Sequence, residues 1–124
     1  MKQPKVYVKY LNKVLEVESI SFDTKVVVVY DEDEYSYRYC DFDEVEFMEN
    51  TGLKDKNGVE IHLGDIVEIL EKHFEVKYKS FKGFVIESEK HIDSIYLSLE
   101  ANNTSACVVG NIYENKELLE ADND

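Results

Sequence analysis

Residues able to do chemistry are plentiful in this chain but poorly arranged for it. Asp55-Lys-Asn-Gly58 has the look of the middle of a calcium loop, where oxygen ligands alternate around a glycine. Placing Gly58 at that loop's glycine puts Leu53 at the first ligand position and Gly64 where the bidentate glutamate belongs, so both ends fail. His62, His73 and His91 share no zinc-ligand spacing with each other or with Cys40 and Cys107. Ser80, Ser88, Ser94 and Ser98 lack a nucleophile-elbow context, and no glycine pattern that cradles phosphate occurs. The 27 acidic side chains offer so many carboxylate pairs that none is singled out for acid–base work. The expectation is no cofactor, no metal and no catalytic residue. An enzyme whose acid–base site leaves no trace in the sequence is a further alternative.

Charge narrows the partners. With 14 basic residues against those acids the net charge is −13, a field that repels nucleic acid and acidic membranes and welcomes basic proteins. Residues 31–49 hold nine carboxylates and one base, Arg38. The candidate interaction surface lies here: Asp31, Glu32, Asp33, Glu34, Tyr35, Tyr37, Tyr39, Asp41 and Asp43. Its acids, read plainly, are solvated and discourage edge-to-edge aggregation. Read more sharply, carboxylates on neighbouring strands imitate DNA, which presents one charge per roughly 1.7 Å of axis, and block a DNA-binding protein. The three tyrosines share one strand face and point to core or interface packing rather than base stacking, since acids and not lysines interleave them. Lys77, Lys79 and Lys82 form a small basic cluster with Glu75, Glu87 and Glu89 close enough to neutralise it.

The elements that must position these groups are strands. Alternation of period two marks Val6–Tyr10, Val14–Glu18, Tyr35–Cys40 and Phe42–Met48, and the continuous run Val26–Tyr30 predicts a strand buried on both faces. Further strands are expected at Ile66–Leu70, Phe74–Lys79, Phe84–Glu87, Ile95–Leu99 and Cys107–Val109. The fold expected is mostly β. N-terminal antiparallel strands (1–50) pack on a small C-terminal SH3-like β-barrel (51–124) in one compact unit, because closure removes exposed edges. One short C-terminal helix is expected, N-capped by Asn115 and docking Leu118 and Leu119, with a frayed tail at 121–124.

A chain of 124 residues suits one domain or two small lobes and can build a core without cross-links. Cys40 and Cys107 read as reduced, buried thiols. No apolar run approaches the roughly 20 residues of a membrane span, and no secretion signal is visible. A soluble, cytosolic protein is expected.

The most informative segment is Thr51-Gly-Leu-Lys-Asp-Lys-Asn-Gly-Val-Glu-Ile-His-Leu-Gly-Asp-Ile66, which holds three of the five glycines. Gly58 is free to take positive φ, with Asn57 or Asp55 bonding back to the backbone, and Leu63-Gly-Asp65 reads as a bend feeding a strand. Gly52, Asp55, Asn57, Gly58, Gly64, Asp65 and Gly110 are accordingly read as structural turns, not as a reaction centre. This segment, with Gly110-Asn-Ile-Tyr-Glu-Asn-Lys-Glu-Leu118 near the C-terminus, resembles the YopX-like proteins of phages and prophages. Those carry stretches close to "TGLKDKNGKEIYEGDIV" and "GNIYENPEL". Val59, His62, Leu63 and Lys116 depart from that pattern; at Lys116 the usual proline would sit in a helix's first turn, where lysine serves nearly as well. The resemblance implies a β-rich fold, a phage or prophage origin, homo-oligomerisation as one option and no catalytic residues. The function expected is non-enzymatic binding, either to itself or to a host or phage protein.

Overall fold

The computed structural model describes residues 3–88 and 97–120. The chain divides into two compact units, Met1–Glu49 and Asn50–Asp124. The expected strand at Ile95–Tyr96, as well as His91, Ser94, Glu89 and the 121–124 tail, lie outside the described residues.

The first unit is a five-stranded antiparallel sheet. Its strands are β1 (Lys5–Val8), β2 (Lys13–Ser21), β3 (Val26–Asp31), β4 (Ser36–Asp41) and β5 (Val45–Met48), in the order β4-β3-β2-β1-β5. One face buries Val6, Val8, Val17, Val27, Val29, Cys40 and Val45, with Leu11, Leu15, Ile20 and Phe42 packed beside them. A fully buried valine stabilises by about 1.5–2 kcal/mol, so burying these side chains favours the sheet. The run Val26–Tyr30 is not buried on both sides, as its composition suggested. Val27, Val29 and Asp31 are buried, while Val26, Val28 and Tyr30 stay half-buried on the outer face. An antiparallel sheet needs only one covered face.

The second unit pairs β6 (Asn50–Lys54) with β7 (Glu60–His62). Its larger sheet is β8 (Asp65–Ile69), β9 (Lys72–Lys79), β10 (Gly83–Glu87), β11 (Leu97–Ser98) and β12 (Cys107–Asn111), in the order β11-β10-β9-β8-β12. Ile61, Val67, Val76, Ile86, Leu99 and Ala106 form its core. The expected SH3-like barrel is not reached: among the described residues the sheet is open, with β11 and β12 at its edges. β11 has only two residues. The chain leaves it for a one-turn helix, α1 (Leu99–Asn102), started by the Ser98 hydroxyl accepting the Ala101 N–H. Leu99, expected on a strand, begins that helix and is fully buried. A second short helix, α2 (Glu117–Glu120), stands where the sequence placed its only one.

Candidate functional site

The β3–β4 hairpin carries the candidate surface. Its register pairs Val28 with Tyr39, Tyr30 with Tyr37 and Asp31 with Ser36. Side chains alternate along β4, so Arg38 and Cys40 turn inward while Tyr37, Tyr39 and Asp41 turn out. Tyr35 occupies the hairpin tip with φ +51°. The three tyrosines are 85%, 59% and 74% exposed in chain order, and Tyr37 meets Tyr30 edge to face at 5.0 Å. Glu32, Asp33, Glu34, Asp41 and Asp43 are exposed around them.

Asp31 does not belong to this surface. It points to the opposite face, is buried, and accepts from Lys13 Nζ at 2.8 Å and from the Asp33 N–H at 3.1 Å. Arg38 Nε lies 3.6 Å from its other oxygen. The hydrogen bond from Lys13 holds the Asp31 carboxyl below the usual carboxylate range despite desolvation, and the same bond raises the Lys13 ammonium. Lys13 also reaches Asp33 at 3.2 Å. Lys13 was not singled out from sequence, because β2 and β3 had to be paired first; Arg38 stood out only as the one base of its stretch.

Two groups with nucleophile chemistry lie near this sheet and are unsuited to it. Burial pushes the Cys40 thiol up. The Tyr10 hydroxyl, 3.7 Å away, is raised by its contact with Cys40 and then by burial. A reactive cysteine needs a depressed value.

The glycine-bearing segment is built around Asp55. Its Oδ1 accepts the N–H groups of Asn57 (2.8 Å) and Val59 (2.9 Å), and its Oδ2 accepts the N–H of Val108 on β12 (2.8 Å). Burial disfavours the charged carboxylate, but the bonds from Val108, Val59 and Asn57 outweigh it and lower the pKa. Gly58, at φ +82°, closes the turn by donating to the Asp55 carbonyl at 3.0 Å. Asn57 is exposed and lies 3.4 Å from Cys107 Sγ; the bond back to the backbone is made by Asp55. Asp65 accepts the N–H of buried His62 at 2.7 Å. Gly64 sits at the bend with φ +92°, donating to the Val76 carbonyl and accepting from Ile112.

Two residues read as turns lie inside strands. Gly52 is in β6, in a bulge between Asn50 and Lys54, where its N–H bonds the Asn50 side chain at 2.8 Å. Gly110 is in β12 beside another bulge; a Cβ there would lie 2.5 Å from Asn115 Oδ1. Asn115 does not cap the last helix with its side chain. That oxygen turns back to the Asn111 N–H at 3.1 Å, while Asn111 Oδ1 accepts from Tyr113 and Glu114. The role of Asn111 was missed, although an asparagine at each end of Asn111–Asn115 was the available signal.

Among the described residues no group of three or more His, Cys, Asp or Glu could hold a metal ion. A groove of about 440 Å³ is lined by Glu75, Lys77, Glu87, Ser88, Lys116, Leu119 and Glu120. Glu87 accepts Lys77 at 2.8 Å and Lys79 at 3.1 Å, and those two hydrogen bonds depress its carboxyl. No described helix is long and apolar enough to cross a membrane.

The sequence pattern of the YopX protein family matches residues 5–120. Among solved structures, the crystal structure of protein EF1440 from Enterococcus faecalis is similar, with TM-score 0.59 and 25% identity over 94% of this chain and 96% of that one. No curated protein matches.

Proposed function

We propose that this chain, which belongs to the YopX protein family, is a non-enzymatic accessory protein of phage or prophage origin. It works in the bacterial cytosol by binding another protein through the tyrosine-bearing strand of its first sheet. One observation carries the reading: Tyr35, Tyr37 and Tyr39 stand exposed together on one hairpin. Tyrosine brings a large apolar ring and a polar tip at little entropic cost, which suits an interface. Covering the rings would gain about 1–2 kcal/mol each, at about 25 cal/mol per Å². Within residues 51–66, Asp55 and Asp65 spend their carboxylates on backbone N–H groups of the motif and, for Asp55, of Val108 on β12, which supports an architectural role for it.

The second reading is an acidic imitation of nucleic acid, favoured by the exposed carboxylates of Glu32, Asp33, Glu34, Asp41, Asp43, Glu46 and Glu49. The inward turn of Asp31 weakens it. Salt separates the two, because an imitation of DNA loses its basic partner steeply as salt rises and an apolar interface does not. The test is capture from host cytosol at low and high salt, with wild type and a Tyr37→Ser/Tyr39→Ser variant. Loss of the captured protein with the variant, at both salts, supports tyrosine-mediated binding. Retention by the variant overturns it, and release by salt together with competition by DNA favours the imitation.

A further inference from the structure

We infer that the outer edge of β4 takes up an extended, lysine- or arginine-bearing segment of a partner protein as an added β-strand. The inference rests on the proposed binding role and adds the mode of contact and the partner's chemistry. Among the described residues β4 ends its sheet, with β3 on one side only. The Phe42 N–H donates to the Lys25 carbonyl at 3.0 Å. In an antiparallel ladder such bonds recur at every second residue. Ser36, Arg38 and Cys40 therefore direct their main-chain groups toward β3, and Tyr37, Tyr39 and Asp41 direct theirs away. The Asp41 N–H is already taken by Glu44 Oε1 at 2.8 Å. The open stretch is thus Tyr37 to Tyr39, enough for two residues of an incoming strand to exchange both main-chain bonds.

Side chains of the added strand opposite Tyr37 and Tyr39 fall on the same outer face as those rings. A cation there meets two tyrosine faces.

Charge selects the occupant. Exposed Glu32, Asp33 and Glu34 flank one end of the open stretch, and exposed Asp41 and Asp43 flank the other. Of the nearby bases, Arg38 and Lys13 are turned to Asp31, Lys13 also reaching Asp33 at 3.2 Å. Lys9 bonds the Asp43 carbonyl at 3.1 Å and Lys25 lies close to the Asp41 end, which leaves Glu32, Glu34 and the carboxylates of Asp41 and Asp43 to select the partner. A second copy of β4, laid in either direction, sets acids against acids at both ends. A basic strand sets opposite charges there instead.

The probe is a capped heptapeptide of alternating lysine and valine, added to the full chain and followed by amide hydrogen exchange in NMR spectra. Exchange at the Tyr37 and Tyr39 amides should slow by about tenfold or more on saturation. Binding should weaken only several-fold from about 50 to about 300 mM salt, because main-chain bonds and ring contacts persist, whereas an imitation of DNA would lose its partner by orders of magnitude over that range. A glutamate–valine peptide should not bind. Absent protection at Tyr37 and Tyr39, or equal binding of the acidic peptide, overturns the inference. Tyr39→Pro removes the outward N–H at an edge position where proline is tolerated, and Tyr39→Ala removes only the ring. The proline variant should bind the peptide about tenfold more weakly than the alanine variant; equal affinities contradict strand addition. If strand addition fails while Tyr37→Ser/Tyr39→Ser still loses the captured cellular partner, the binding role survives without this mode. If that variant keeps the partner, the binding role itself fails.

Discussion

Replacing Asp55 by asparagine removes one carboxylate oxygen from the centre of the second unit. In the wild type two oxygens serve three N–H donors at 2.8–2.9 Å, and the third donor, on Val108, ties the turn to β12. Asparagine can keep its carbonyl toward Asn57 and Val59. Its amide then faces the Val108 N–H, donor against donor. A hydrogen bond to a charged group is worth about 1.5–3 kcal/mol, and a buried donor left without acceptor costs about 1–3 kcal/mol. The expected loss is about 2–3 kcal/mol for Asp55→Asn and about 4 kcal/mol for Asp55→Ala. With a urea slope of about 1.5 kcal/mol per M, the asparagine variant should unfold at a midpoint lower by about 1.3–2 M. pH adds a second signature. The Asp55 carboxyl is depressed in the folded chain, so its contribution is complete above the ordinary carboxylate pKa. That contribution is lost as pH falls through the ordinary value toward the depressed one. The gap between wild type and Asp55→Asn should therefore narrow in acid. Equal urea midpoints at neutral pH, or a gap that widens in acid, would refute the argument.

Other sites give independent tests. Gly110→Ala places a methyl 2.5 Å from Asn115 Oδ1 and should cost about 2 kcal/mol in urea unfolding. Combining it with Asn115→Gly should cost less than the sum of the two single changes, and strict additivity would contradict the contact. Leu70 is 88% exposed and sits with Glu71 at positive φ (51° and 67°) in the two-residue turn joining Ile69 to Lys72. Leu70→Asn should stabilise by about 1 kcal/mol in the same assay, and a loss would refute the strain argument. Lys13→Met should raise the Asp31 carboxyl toward the ordinary range in a carbon-detected NMR titration; an unmoved value would show that Lys13 does not hold it. The stability difference from wild type should shrink in acid as Asp31 protonates. It should shrink again in strong alkali as pH passes the raised value of Lys13.

Strand positions were legible wherever apolar and polar residues alternate, because the period alone names the element, as in β1, β4 and β9. The direction each strand faces was less so. Val26–Tyr30 is uniformly apolar, so nothing in it distinguishes a covered face from one shared with tyrosines. Leu99 followed an alternating pattern into what turned out to be a helix, since one serine cap is a weak signal beside a β-like stretch. Barrel closure depends on how the end strands meet, which local sequence does not encode, and β11 is too short to show it. The turn chemistry of Gly58 and Gly64 was readable from residue type. Gly110 was misread because its reason is a close approach by Asn115, five residues on. The tyrosine surface was visible as a pattern, while the departure of Asp31 from it required knowing that Lys13 sits across the sheet.

Tyr37 and Tyr39 are proposed to make the partner contact, and residues 51–66 to act as scaffold. The most direct measurement is the affinity of the captured partner for three purified chains: wild type, Tyr37→Ser/Tyr39→Ser, and Lys54→Ala/Lys56→Ala, which alters exposed side chains of the turn segment. The serine variant should lose affinity by tenfold or more, about 1.4 kcal/mol, and the lysine variant should match wild type. The reverse pattern, with the serine chain binding normally and the lysine chain failing, would contradict the assignment.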